Sequence, residues 1–262
     1  MTRTLVLLHG AASNSTRWAE FITHTNLRGE WKLVAPDLRG NGTAAAPRTR
    51  LGMDVWCGDI VKLLDAERCE RAVIGGHCFG ANIALHFAAR YPGRISALVL
   101  IEPMPREAFV GSAAWLPFLR PLLYLTYGAA RALNASGIYR RRLETLDLEE
   151  WDRPRRSGER KLSMLASLGV DLGATPLAAY TRMLAATAEP WPDVAAIRVP
   201  VLALISSRSS MTDPARTRRA LAMLPDCDLL ELDAVHWIPT EQPDAMRAAI
   251  GDWISRRLGS SP

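Results

Sequence analysis

No stretch of this 262-residue sequence is apolar for long enough to cross a membrane, since a spanning helix needs about 20 such residues. The N-terminus, Met1-Thr2-Arg3-Thr4, enters an apolar run of only about six residues, too short for the h-region of a secretory signal. Cysteines are few: Cys57, Cys69, Cys78 and Cys227, with no C-x-x-C pair. That excludes a disulfide-stapled fold and leads us to expect free thiols in a reducing, cytoplasmic compartment. No two histidines have metal-ligand spacing and no phosphate-binding loop occurs, so neither a metal nor a cofactor is expected. Repeats and low-complexity tracts are missing as well, which excludes solenoid architectures. The charge surplus is small, 32 basic against 27 acidic side chains. Its densest part, the arginines between Arg140 and Arg160, is interleaved with Glu144, Glu149, Asp152 and other acids. Mixed signs at short spacing describe solvated helix faces and argue against a nucleic-acid partner.

What is present is alternation. Short apolar runs at residues 4–8, 31–38, 71–77, 95–101, 199–206 and 229–232 read as strands. Helical patterns occupy 16–24, 51–68, 79–90, 214–224 and 243–258. Strand–helix alternation predicts an α/β fold, a mostly parallel sheet of about six strands flanked by helices. The alternation stops between Pro103 and Ile197, where tryptophans, prolines and apolar runs such as 119–125 and 161–168 occur without a strand pattern. A structureless loop of that length is uncommon. We therefore expect residues 1–103 and 197–262 to form the core, and residues 104–196 a helical cap inserted after the strand ending at Glu102.

The third strand runs into Gly76-His77-Cys78-Phe79-Gly80 and then into an Ala- and Leu-rich helix. A strand that turns into a helix through small residues lifts the middle side chain above the sheet, at the positive end of the helix. That placement suits a nucleophile, here Cys78. A thiol nucleophile needs a base, and donors for the oxyanion that forms on attack. His236, in Asp233-Ala234-Val235-His236-Trp237, follows the last strand and so lies at the same sheet edge as Cys78. His77 points to the other side of the elbow and is read as a packing residue, and His9 as a brace for its loop. The His9-Gly10 turn after the first strand directs the N–H of Ala11 toward the nucleophile, and with the N–H of Phe79 it would form an oxyanion hole.

In the order His9-Gly10, Pro36-Asp37-Leu38-Arg39-Gly40-Asn41-Gly42, the elbow at 76–80 and the His236 loop, the chain resembles the α/β-hydrolase fold family, in a variant with a cysteine nucleophile. The resemblance covers residues 4–103 and 197–257. It implies an acid about nine residues past the proline that leads the strand after the cap, a position held here by Ser209. Two carboxylates remain. Glu102 ends the strand after the elbow helix, where some relatives, certain haloalkane dehalogenases among them, carry their acid. Asp213 lies four residues beyond the usual place and also suits the N-cap of a helix with Pro214 at its first position. A cysteine beside a histidine at a helix N-terminus ionises more readily than a serine, so the acid could move or weaken without loss of acyl transfer.

The resemblance implies a Cys78–His236–Glu102 triad acting on an ester, thioester or lactone through a cysteinyl thioester, with hydrolysis as the leading outcome. The substrate would be a small apolar acyl compound or a carrier-bound thioester. Transfer or cyclisation to a nucleophile other than water stays open, since dienelactone hydrolases and polyester synthases of this fold also use cysteine. A ligand receptor with vestigial turnover is the alternative of another class, and a serine replaced to trap an acyl-enzyme would leave the same sequence.

Overall fold

The computed structural model describes residues 3–44, 50–136, 147 and 175–259. Six strands form one sheet: β1 Arg3–Leu8, β2 Trp31–Val34, β3 Ala72–His77, β4 Ile95–Ile101, β5 Val201–Ser206 and β6 Cys227–Leu232. Their order is β2-β1-β3-β4-β5-β6, and every pairing is parallel. β2 is shorter than the expected 31–38, because Pro36 has no N–H to continue a ladder. The expected helix over 16–24 is a 3₁₀ turn, Ser15–Trp18, running into α1, Ala19–His24. Next come α2, Met53–Ala66, and α3, Phe79–Arg90.

The period-2 alternation of the strands divides the core in two. Val6, Leu8, Ile74, Leu98 and Leu100 face one side, where they pack with Trp56 and Ile60 of α2 and with Phe79, Ile83 and Phe87 of α3. Leu5, Leu7, Val73, Val99 and Ile101 face the other, where Phe21 of α1 and Met246, Ile250 and Trp253 of a C-terminal helix cover them. A sheet buried on both faces must be apolar at every position of its central strands, and β1, β3 and β4 meet that demand.

Two α-helices, with short 3₁₀ turns, occupy the interval after β4 among the described residues. α4, Leu116–Ser136, packs along α5, Leu177–Thr187, and α5 touches α3. The arginine-rich segment, Trp151 and the apolar run 161–168 lie outside the described residues. The chain closes with α6, Pro214–Leu221, a short α7, Ile238–Glu241, and α8, Pro243–Leu258.

The parallel register sets Leu8 beside Gly76, His77 beside Ile101, Ile101 beside Leu204 and Ser206 beside Leu232. The residues that follow these strands therefore share one edge. The sheet order reverses between β1 and β3, and such a switch point is where open α/β sheets bind ligands. Backbone contact keeps it tight. A Cβ on Gly76 would lie 2.3 Å from the carbonyl carbon of Gly80, and one on Gly80 would lie 2.4 Å from the carbonyl oxygen of Leu8. By contrast, a Cβ on Gly58, inside α2, would meet nothing within 4 Å. Gly80→Ala should therefore lower unfolding free energy by about 2 kcal/mol or more, and Gly58→Ala should raise it by about 0.5–1 kcal/mol. Urea unfolding midpoints of the two variants check this pair.

Candidate active site

Cys78 stands between β3 and α3 with φ 53° and ψ −114°, on the left-handed side where a residue with a Cβ is strained. Such a conformation costs of order 1–3 kcal/mol and persists only if its surroundings enforce it. The Cys78 N–H donates to the Ile101 carbonyl at 2.8 Å, and its own carbonyl accepts from Ala81 at 3.0 Å and Asn82 at 3.3 Å. The first contact locks the elbow to the end of β4, and the other two start the helix.

The turn after β1 lies against the nucleophile position. A Cβ on Gly10 would be 3.6 Å from Cys78 Cβ and 3.4 Å from His77 Nδ1. Among the described residues the N–H groups of Ala11 and Phe79 donate to no acceptor in the protein. His9 braces this turn: its Nε2 accepts the Leu38 N–H at 2.9 Å, which leaves Nδ1–H to donate to the Gly10 carbonyl at 2.8 Å. Asp37 braces it from the next loop, accepting from Ser15 N–H and from the N–H and hydroxyl of Thr43, each at 2.7 Å.

Glu102 follows β4, also at positive φ, 48°. Its Oε1 accepts the Ser206 N–H and its Oε2 lies 3.2 Å from His236 Nδ1. Both side chains are almost wholly buried, 2% and 1% exposed. His236 Nε2 is also buried and makes no hydrogen bond of normal geometry, while Cys78 acts electrostatically on the ring. Asp213 is elsewhere, accepting the Arg216 N–H at 2.8 Å as N-cap of α6. Ser209 Oγ accepts the Thr212 N–H at 3.2 Å, and Val110 N–H donates to the Met211 carbonyl at 3.0 Å. The loop that follows β5 is thus used to tether the chain that follows β4. Apolar side chains flank the thiol: Cys78, Leu116 and Met211 pack against Met104, Phe109, Ala113 and Ala188.

A family model described as the alpha/beta hydrolase fold matches residues 3–243. The chain belongs to the α/β-hydrolase fold family. Over 97% of its length it is 26% identical to the lipase LipV of Mycobacterium tuberculosis, matching 94% of that protein. A 99-residue stretch is 35% identical to 2-hydroxymuconate semialdehyde hydrolase of a Pseudomonas strain, covering 35% of that enzyme. Uncharacterized mycobacterial proteins match over 98 residues, so the chain spans 28% of their length. Among solved structures it is similar to the enol-lactonase of Burkholderia xenovorans, with a TM-score of 0.69 and 21% identity over 97% of this chain and 92% of that one. An esterase of Thermogutta terrifontis gives 0.71 and 20%, over 98% and 91%.

Within this α/β-hydrolase frame three histidines meet three electrostatic fates. Burial pushes His9 down to about 4, only partly offset by its bond to Gly10 and the charge of Asp37. Burial, with the neighbouring His236, holds His77 well below the usual histidine range. Burial also opposes a charge on His236, but Cys78 and Glu102 outweigh it and push its pKa up to about 10. His77 was expected only to pack. Its Nε2–H donates to the His236 carbonyl at 3.2 Å, with the rings 5.4 Å apart. Asn82, which nothing in the sequence singles out, joins the elbow helix to both ends of the interval after β4. Its Nδ2 donates to the carbonyls of Met104 and Thr187, and its Oδ1 accepts from Met104 N–H and Trp191 Nε1.

A histidine held neutral down to about 4 makes the fold acid-sensitive. Below pH 6.5 the unfolded chain takes up a proton that folded His9 refuses, so stability falls as pH drops from 6.5 to 4. Across that window the His9 contribution amounts to about 3 kcal/mol. Urea unfolding at pH 7 and pH 4.5 should show the loss, and it should shrink in His9→Asn.

Proposed function

We propose that this chain is an acyl-transfer enzyme that hydrolyses an ester, thioester or lactone through a thioester on Cys78. The observation that carries the reading is the buried His236 ring, held at Nδ1 by Glu102 and driven toward its protonated form by Cys78 and Glu102 together. In the proposed first step the thiol proton already rests on His236 Nε2, and Cys78 Sγ attacks the carbonyl carbon. The oxyanion that forms is received by the N–H groups of Ala11 and Phe79, and one such donor is worth about 3 kcal/mol in the transition state. The carbonyl re-forms, the bond to the leaving alcohol or thiol breaks, and that group departs with the proton from His236. Water then attacks the thioester, His236 accepts the proton of that water, and the carboxylic acid leaves as the Cys78 thiol is restored. Glu102 orients the imidazole and steadies its positive charge.

The apolar side chains packed beside Cys78 favour an apolar acyl group over a charged one. We read residues 104–196 as the cap over this edge. The donor class includes carrier-bound thioesters, and a free thiol nucleophile suits a reducing compartment. Relatives named as esterase, lipase and enol-lactonase agree with the carbonyl chemistry, and none of those names specifies the nucleophile.

The test is intact-protein mass spectrometry after brief exposure to a panel of activated esters. A single acyl adduct on Cys78 is expected, absent in Cys78→Ala and after iodoacetamide. No adduct from any donor would overturn the acyl-enzyme reading and favour a ligand receptor. In single-turnover acylation His236→Ala should cost about 10²–10⁴-fold, and Glu102→Gln distinctly less, because a thiol depends less than a hydroxyl on an oriented base. Equal losses would count against the role given to Glu102.

A further inference from the structure

The loop that carries His236 is gripped by one carboxylate. Glu241, the last residue of α7, turns back and accepts three consecutive main-chain N–H groups. Val235 donates to Oε2 at 2.9 Å, while His236 and Trp237 donate to Oε1 at 3.2 and 2.7 Å. Successive N–H groups converging on an anion form a nest, a strong local anion site, and here the anion is the protein's own side chain. The grip closes on itself, because the Trp237 carbonyl accepts from the N–H groups of Thr240 and Glu241 at 2.8 and 2.7 Å. From the opposite side His77 holds the His236 carbonyl. The flank is closed by Arg17, whose guanidinium lies 5.4 Å from the Trp237 ring centroid and donates to Thr240 Oγ1 at 3.2 Å.

We propose that Glu241 is a positioning residue for the reaction, fixing the main chain of residues 235–237 so that the His236 ring meets Glu102 and Cys78 at once. The inference rests on the reading of Cys78 and His236 as the reacting pair. The rings of His77 and Trp237 pack beside the His236 ring, but few hydrogen bonds aim it. Its contact with Glu102 is a single 3.2 Å bond at Nδ1, and Nε2 has no bond of normal geometry. The position of such a ring also follows its own backbone, and a displacement of about 1 Å at a reacting group can cost on the order of 100-fold in rate. The carboxylate that serves this purpose is at the surface, so it is not explained as a core contact.

Substitutions at Glu241 separate positioning from bulk stability. In Glu241→Gln the amide oxygen can still accept from His236 and Trp237, but its NH₂ then faces the Val235 N–H, donor against donor. Glu241→Ala loses all three acceptors. Two readouts are taken on folded protein, single-turnover acylation and the pH profile of Cys78 alkylation by iodoacetamide. Glu241→Ala should slow acylation about 10- to 100-fold with little change in substrate affinity, and change the pH profile of alkylation from that of wild type. Glu241→Gln should fall between Ala and wild type in both. A purely structural role would lower the melting temperature and leave both readouts unchanged. A Gln variant equal to wild type in both overturns the proposal, whether or not the Ala variant folds. If wild type forms no acyl adduct, the function proposed above fails instead, and the alkylation profile alone decides whether Glu241 tunes the Cys78–His236 pair.

Discussion

Everything at the carboxyl edge of this sheet depends on one steric constraint, the approach of two backbones at the elbow. Leu8, Gly76 and Gly80 stack with no space for a Cβ, so the first helical turn of α3 sits directly against the ends of β1 and β3. That contact forces Cys78 into positive φ, turns its side chain away from the sheet, and leaves the Phe79 N–H without an intrahelical partner. The strain is offset by the hydrogen bond from Cys78 to Ile101 and by the burial of β3 and β4 on both faces. A fold with less packing around the elbow could not hold this turn.

The same edge shows how burial and partners compete over charge. His9, His77 and His236 are all essentially excluded from water, and desolvation alone would keep each neutral. Only His236 has anionic or acidic groups on both sides. Burial is thus what gives Cys78 and Glu102 their leverage, since charges interact more strongly where water does not screen them. His9 and His77, kept neutral, serve as directional hydrogen-bonding braces for the turn after β1 and for the His236 loop.

The position of the carboxylate follows from how the loops are used. After β5 the chain from Ser206 to Asp213 caps α6 and pairs with residues 108–110, and Asp213 is committed to that cap. Glu102, at the end of the strand next to β5, reaches His236 directly from the end of β4. The cost is that Glu102, like Cys78, takes positive φ without being glycine.

Much of this was legible locally. Strand–helix alternation, the glycines flanking Cys78 and the histidine after the last strand are short-range patterns, and they led to the six-stranded parallel sheet and to the residues that gather at its edge. The end of β2 is less legible, since the strand stops at Val34 although Ala35 and Leu38 carry apolar character to either side of Pro36 and Asp37. Other features lie beyond any window of sequence. The sequence favours Glu102 over Asp213 without excluding the second, and the folded chain sets Glu102 Oε2 3.2 Å from His236 Nδ1 while Asp213 caps α6. The contact of His77 with the His236 carbonyl joins residues 159 apart in the chain, and Asn82 meets Thr187 across 105. Glu241 is only five residues from His236, yet its role depends on a sharp reversal at α7 that no periodicity announces. The sequence by itself determined which groups could react and at which strand ends they stand. Only the tertiary structure decided which of them touch, because contact between distant residues is set by strand register and loop closure.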